Sequence, residues 1–338
     1  MDVHATKNIG RRPTPLTLDP NRLALLGSEV DVDSLNVVAC NLLGDVLLSK
    51  RIAYRHVSPQ KTAEKLCAMV KNMHQSLLGQ GRRVLGLGVG LPGVVDTSGK
   101  VLRFAPNMHW RDVPIAALLH QALGKQGIGD LPTSILNAAN AAALSECIFS
   151  NEPRASSLVY LSIGIGLGSG IVFDDELYRG FDGMAGEVGH TILQLNGPQC
   201  SCGRHGCAET FVSQRAVSQA VTGKPDELLS IDALRERLVL GDKKTIAALK
   251  TAGIYLGLLL QNMINTLNPK LIVLGGPLCG VDDMLVQTAL ESMALSKGAF
   301  DVYSTQIRLC RFGVNASAVG AAGIILHQSF SQYSPAAQ

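Results

Sequence analysis

Net charge is nearly absent from this chain: 30 basic residues stand against 27 acidic ones over 338 residues, a formal +3. So small a surplus excludes the broad basic face by which proteins hold nucleic acid or an anionic membrane surface. Long apolar runs are absent too. No stretch reaches about 18 residues without a charge or a turn residue, and the N-terminus carries no hydrophobic leader core. The expectation is a soluble cytoplasmic protein. Tryptophan occurs once, at Trp110, and no tandem repeat of solenoid period is visible. Charged residues make up only 17 % while hydrophobic ones reach 46 %, which excludes disorder over most of the length and allows a large core. The length suits two lobes of ordinary size better than one simple core.

Cysteine and glycine, by contrast, are plentiful, at eight and 35 residues. Three cysteines crowd into Cys200–Cys207, which points to metal binding rather than to a secreted disulfide framework. Strand-like and helix-like stretches alternate along the chain. A polar lead-in over residues 1–21 carries a basic Gly10-Arg11-Arg12-Pro13 step. Three strand-like runs follow, LALLGSEV, LNVVACNLL and DVLLSKRIAY, with Gly44-Asp45 as a turn. Ser58-Pro59 is an N-cap and N1 pair for a helix to about Leu78. VLGLGVGLPG (84–93) is a buried strand, a helix follows near 113–123, and SILNAANAAALSE (134–146) is a strand running into an alanine-rich helix.

The second half repeats the scheme. LVYLSIGIGLGSGIVFDDELY (158–178) is a hairpin-like pair around a glycine loop, and 179–209 is a polar insertion rich in glycine and cysteine. Helices are expected near 207–222, 231–239 and 243–267. KLIVLGG (270–276) is a buried strand, 283–296 a helix, STQIRLCRF a strand and ASAVGAAGIIL (316–326) a closing helix. The expected division is a lead-in (1–21), a first α/β lobe (22–134), a second lobe (135–328) with a loop at 190–207, and a tail (329–338). The closing helix, 316–328, is expected to return to the first lobe. A cleft would lie between the lobes.

Four constellations carry chemistry. His190, Cys200, Cys202 and Cys207 supply three thiolates and an imidazole, a closed tetrahedral set that suits zinc in a structural role. Gly203 and Gly206 let so short a loop bring them together. His205 is a further candidate awkwardly placed between the ligands. SIGIGLGSG (162–170) offers backbone N–H groups to a phosphate or a sugar ring, but reads as well as a bare turn between strands. Glu187, within GEVGH, and Glu209 flank the metal set and could accept hydrogen bonds from vicinal hydroxyls. RFAPNMHW (103–110) sets the Asn107 amide near Trp110, a pairing that suits a carbohydrate; Trp110 as ordinary core is an equal reading.

Taken together, SIGIGLGSGIV, GMAGEVGH, the GH and CSCGRHGC run, APNMHW, LPG and IVLGG resemble the ROK family (repressors, open reading frames, kinases) over about residues 10–328. The resemblance implies an actin-like, ribonuclease-H-like α/β fold of two lobes with a zinc-binding loop in the second, and a homo-oligomer, dimer or tetramer. It also implies that the GRRPTPLTL lead-in corresponds to the segment joining a repressor's winged helix-turn-helix to its sugar-binding part. The resemblance further implies that DNA would be reached only through such an upstream helix-turn-helix, expected to lie outside this chain.

Carried over position by position, the family's sugar contacts fall on Asn107, Asn137, Glu187, His190 and Glu209. Three kinase elements depart from the pattern. The first phosphate loop, Asp-x-Gly-Gly-Thr in family kinases, falls on Glu29-Val30-Asp31-Val32-Asp33. The second keeps Gly164 and Gly166 around Ile165, where a threonine is usual; Gly275 and Gly276 keep the later glycine pair. The aspartate that takes the proton from the attacking sugar hydroxyl is Ala138. The expectation is therefore a zinc-containing, sugar-sensing effector and oligomerisation domain of a regulator, without kinase activity. An ATP-dependent hexose or N-acetylated amino sugar kinase is the enzymatic alternative. A degenerate paralogue acting only through its oligomer interface is the third.

Overall fold

The computed structural model describes residues 19–55, 58–150, 155–295, 298 and 304–331. The basic lead-in at 10–18 and the tail beyond 331 lie outside the described residues. Five strands build the first sheet: β1 (Leu23–Val30), β2 (Ser34–Cys40), β3 (Val46–Ala53), β4 (Arg83–Leu91) and, after a small three-stranded sheet, β8 (Thr133–Asn137), in the order β3-β2-β1-β4-β8. The small sheet holds β5 (Val94–Val95), β6 (Leu102–Ala105) and β7 (Trp110–Val113). β1 to β3 form an antiparallel meander, and β4 and β8 join β1 in parallel.

The second sheet repeats this plan with β9 (Ser157–Ile163), β10 (Leu167–Phe173), β11 (Glu176–Leu177), β12 (Leu271–Gly275) and β13 (Gln306–Leu309), in the order β11-β10-β9-β12-β13. Again three antiparallel strands lead and two parallel ones follow. Parallel strands need crossovers, which the helices supply. In the first half these are α1 (Pro59–Gly79) and α2 (Ile115–Lys125). In the second they are α4 (Gln214–Thr222), α5 (Ile231–Val239), α6 (Lys243–Leu267) and α7 (Met284–Leu295). The remaining two, α3 (Ala138–Ile148) and α8 (Ala316–Ser331), close the two halves and pack on each other.

Local chemistry sets most boundaries. Ser58 Oγ accepts from Lys61 N with Pro59 at the first helical position, and α6 runs from the Asp242 cap to a left-handed Asn268 just before Pro269. Among the described residues α6 alone is long and apolar enough to cross a membrane by length and composition. Its Leu249, Leu256, Leu260 and Ile264 are buried in the core of the second half. One expectation needs correction: no continuous helix spans 207–222. Ala208–Thr210 is a single 3-10 turn, and α4 begins only after Ser213, whose Oγ caps Ala216 N. The break lets Cys207 and Glu209 stay with the metal loop.

Helix α8 returns to the first sheet, where Ala318, Val319, Ala322 and Ile325 pack with Leu25, Val38 and Cys40. Glycines permit that approach: a Cβ at Gly27 or Gly88 would run into the carbonyl of Ala318 or Ala321. The same is true between helices, where a Cβ at Gly320 would meet the Ala141 carbonyl. The carboxyl ends of β1, β4 and β8 therefore open onto the space between the two sheets, with α3 and α8 behind them.

Candidate interlobe site and metal centre

A cavity of about 400 Å³ lies between the lobes. From the first half it is lined by Glu29, Asp31, Arg51, Asn107, Asn137 and Ala138. The second half contributes the 164–169 turn, Glu187, His190, Glu209, Gly276 and Ser317. Every residue singled out as a sugar contact thus borders one space.

Their states differ. Asn107 sits on the 3-10 turn Pro106–Met108, which a left-handed His109 ends. Glu209 Oε2 accepts a hydrogen bond from Leu167 N at 3.0 Å, and its Oε1 lies 3.4 Å from the Ser201 hydroxyl. Gly166 holds these two groups together: a Cβ there would strike Glu209 Oε2 and stand 3.2 Å from Asn107 Nδ2. Asn137 already works as the cap of α3, its Oδ1 accepting from Ala139 N (2.8 Å) and Asn140 N (3.1 Å). Its amide donates to Gly93 O at 2.8 Å, so one amide hydrogen remains for a ligand. Ala138 opens α3 and presents only a methyl group. Burial raises the pKa of Glu187, with nearby Glu209 adding to the rise and His190 opposing it. Trp110 is 7 % exposed and packs in the first core rather than lining the cavity.

His190, Cys200, Cys202 and Cys207 converge, all four donor atoms lying within 4.8 Å of one another. Cys200 Sγ is 3.6 Å from His190 Nδ1, and Cys202 Sγ is 3.7 Å from Cys207 Sγ. Metal–sulfur bonds of about 2.3 Å in a tetrahedron put sulfurs roughly 3.8 Å apart, so the set fits one ion. The loop is built for that convergence. Cys200 N bonds to Arg204 O and Gly203 N to Cys200 O, while Gly206 (φ +72°) is pressed against the Gln194 carbonyl. Burial and the neighbouring thiols push Cys207 up to about 12. A bound cation would reverse that balance and hold the thiolates. His205 turns away, its Nδ1 3.3 Å from Gly197 O. The other ring nitrogen of His190 faces Glu187 Oε2 at 4.0 Å. The metal set and the cavity therefore share a carboxylate–imidazole contact.

The phosphate-loop positions tell a different story. Glu29 and Val30 end β1, and Asp31–Asp33 is the β1–β2 turn, closed by Asp31 N to Ser34 O at 2.9 Å. Neither Asp31 nor Asp33 adopts a positive φ, so the turn forms without glycine. Arg51 reaches over from β3 to pair with Asp31 (3.3 Å) and to donate to Ser34 Oγ (2.9 Å). Glu29 is pushed up to about 8 by burial and by Asp31, against a smaller pull from Arg51. Ile165 is buried at the 164–166 turn, and Gly276 (φ +93°) bends the chain after β12 beside Ile163. A second chamber of about 460 Å³ borders this turn, lined by Asp31, Asp33, Asp232, Arg51, Arg235 and Gly276 among others. Arg51 and Ser317 escaped sequence reasoning. Each lies in an element whose pattern is explained by sheet or helix packing, and no motif marks them.

A duplicated sheet of this order with its cavity between the halves defines an α/β protein of the actin-like fold class. Within that class the chain belongs to the ROK family, whose sequence model matches residues 26–328. It is 30 % identical over 320 residues to the xylose repressor of Bacillus subtilis (strain 168), covering 94 % of this chain and 80 % of the relative. The structure is similar to a ROK family transcriptional regulator homologous to the E. coli MLC protein, with a TM-score of 0.74 and 26 % identity over 91 % of this chain and 78 % of that one. A ROK glucokinase from Streptomyces griseus, crystallised with glucose and AMPPNP, superposes with a TM-score of 0.75 at 24 % identity, covering 89 % and 98 % of the two chains. Regulators and sugar kinases both stand among the relatives.

Proposed function

We propose that this protein is a sugar-sensing, oligomeric effector domain of a ROK-type transcriptional regulator, cytoplasmic and without sugar kinase activity. The observation that carries the reading is the contrast within one cavity. Groups able to hold hydroxyls converge at Asn107, Asn137, Glu187 and Glu209, while Ala138 offers no base and the turn after β1 offers the carboxylates of Asp31 and Asp33 where a phosphate would sit. Phosphoryl transfer rests on positioning and charge neutralisation, and here the guanidinium beside that turn, Arg51, is engaged by Asp31 and Ser34. Zinc is the metal that three thiolates and an imidazole suit best. When bound, it fixes the 190–207 loop. His190 Nδ1, on the thiolate side, would ligate it, and the opposite nitrogen would then orient Glu187 towards the sugar.

Sugar binding would close the cleft and shift the balance between two arrangements of the lobes, and so of subunits. DNA contact is assigned to a helix-turn-helix joined to this chain, not to the lobes. Thermal unfolding with a panel of pentoses, hexoses and N-acetylated amino sugars tests the reading. Ligand at 100 times Kd stabilises by about 2.7 kcal/mol, so a sugar that raises the midpoint supports a sensor. No shift from any sugar would leave the degenerate paralogue. ATP-dependent ADP release with the same sugars would establish the kinase instead.

A further inference from the structure

The floor of the cavity carries a feature that lost phosphate chemistry does not explain. Glu29, Gly90 and Leu136 stand in register across β1, β4 and β8. In-register residues of a sheet share a face, here the one that α8 covers. The preceding members of that face, Gly27 and Gly88, approach Ala318 and Ala321 of α8, and Gly90 approaches Ser317. A Cβ on Gly90 would lie 2.6 Å from Ser317 Oγ and 3.5 Å from the Cα of Ala138. Ser317 Oγ thus sits over Gly90, and Glu29 and Ala138, which line the same cavity, stand to either side of it at the carboxyl ends of three parallel strands. Ligands of open α/β sheets bind at such ends.

We infer that Glu29 is a ligand-contacting residue of this cavity, its carboxyl group, beside Ser317, meeting the sugar hydroxyl that Ala138 leaves without a polar partner. The inference rests on the sugar-sensing reading and adds a specificity residue to it. The groups facing Glu29 are Asp31 in its own turn, Arg51 of β3, Ser317 of α8 and Tyr160 of β9. Arg51 is already held by Asp31, Ser34 and the Val314 carbonyl. Burial and Asp31 keep Glu29 a carboxylic acid near neutrality. In that form it both donates and accepts, as a hydroxyl does.

The test is isothermal titration of the whole chain with the sugar from the panel that wild type binds best, and with its mono-deoxy analogues. Glu29→Ala should weaken binding about tenfold or more, while Glu29→Gln, which keeps a donor and an acceptor, should stay within roughly threefold. One deoxy analogue should bind wild type weakly and be indifferent to Glu29→Ala, because the partner hydroxyl is already gone. Adding Ala138→Asp to Glu29→Ala should recover affinity. If Glu29→Ala does not fold, the deoxy series on wild type and Glu29→Gln decides: every analogue losing affinity equally in both overturns the inference. Unchanged affinity of a folded Glu29→Ala overturns it while leaving the sensor reading intact. Wild type binding no sugar overturns both.

Discussion

Glu29 and Cys202 show how a single side chain's surroundings set a measurable property. Glu29 is shifted from 4.5 to about 8, with burial first and Asp31 second among the causes. Below about pH 4.5 it is protonated in both folded and unfolded chains. Between there and about pH 8 the unfolded chain releases the proton and the folded one keeps it. This group's contribution to stability is therefore lost as pH rises through that window. Glu29→Gln should be the more stable protein at pH 7.5, by on the order of 2 kcal/mol once solvent screening of a half-buried group is allowed for. It should match wild type at pH 4.5. Denaturant titrations at the two pH values check it, and parallel curves would refute it.

At Cys202 the relevant balance is between thiols and a cation. Cys202→Ser should drop zinc from about one per chain to well below half by metal analysis, since four-ligand closure is what a structural site requires. The 190–207 loop should then become cleavable by protease, and Glu187 should lose its orienting partner. Retained zinc at full stoichiometry would count against the assignment. The metal set was legible in sequence because ligand spacing survives without knowledge of the fold. Asn137 was legible as a sugar contact through the family resemblance; that its oxygen is spent on capping α3 depends on where the helix begins.

At the scale of elements, α3 and α8 form the seam between the halves, and a buried charge fastens it to β13. Glu146 is fully buried on α3. Its Oε2 pairs with Arg308 at 2.8 Å, and its Oε1 accepts from Arg311 N at 2.9 Å. Removing one partner of such a pair leaves an uncompensated buried charge. Glu146→Ala should therefore cost roughly 3–5 kcal/mol, where Glu146→Gln costs less because it keeps a hydrogen-bonding oxygen. Urea unfolding measures both, and equal loss in the two variants would argue for packing rather than charge. None of this was readable from the chain, because Glu146 and Arg308 are far apart in sequence and lie in unremarkable contexts. Strands and long helices were readable, since β12 is a continuous apolar run, β1 and β2 are mostly apolar, and α1 and α6 carry their own caps. The 207–222 stretch misled because alanine and glutamate favour a helix that the metal loop forbids.

Over the whole molecule, the question is whether the two lobes still make a phosphotransfer machine when one part is restored. A positioned base contributes about 10²- to 10⁴-fold, so returning a carboxylate with Ala138→Asp puts back one factor of a product. The others stay missing. Asp31 and Asp33 remain in the β1–β2 turn, Glu29 borders the same cavity, and Arg51 is engaged by Asp31. A triphosphate held about 4 Å from a carboxylate meets on the order of 4 kcal/mol of repulsion per charge pair at an effective dielectric near 20. Two such pairs would cancel the gain from the base. Ala138→Asp should therefore show no ATP-dependent ADP release with any sugar of the panel. It should instead bind the cognate sugar more tightly, because the new carboxylate faces hydroxyls. Only a variant that also replaces the Glu29–Asp33 turn with a glycine-bearing one should turn over. Turnover by Ala138→Asp alone would mean that the acidic turn is no barrier, and the division of this cavity into a working sugar half and a closed phosphate half would fall with it.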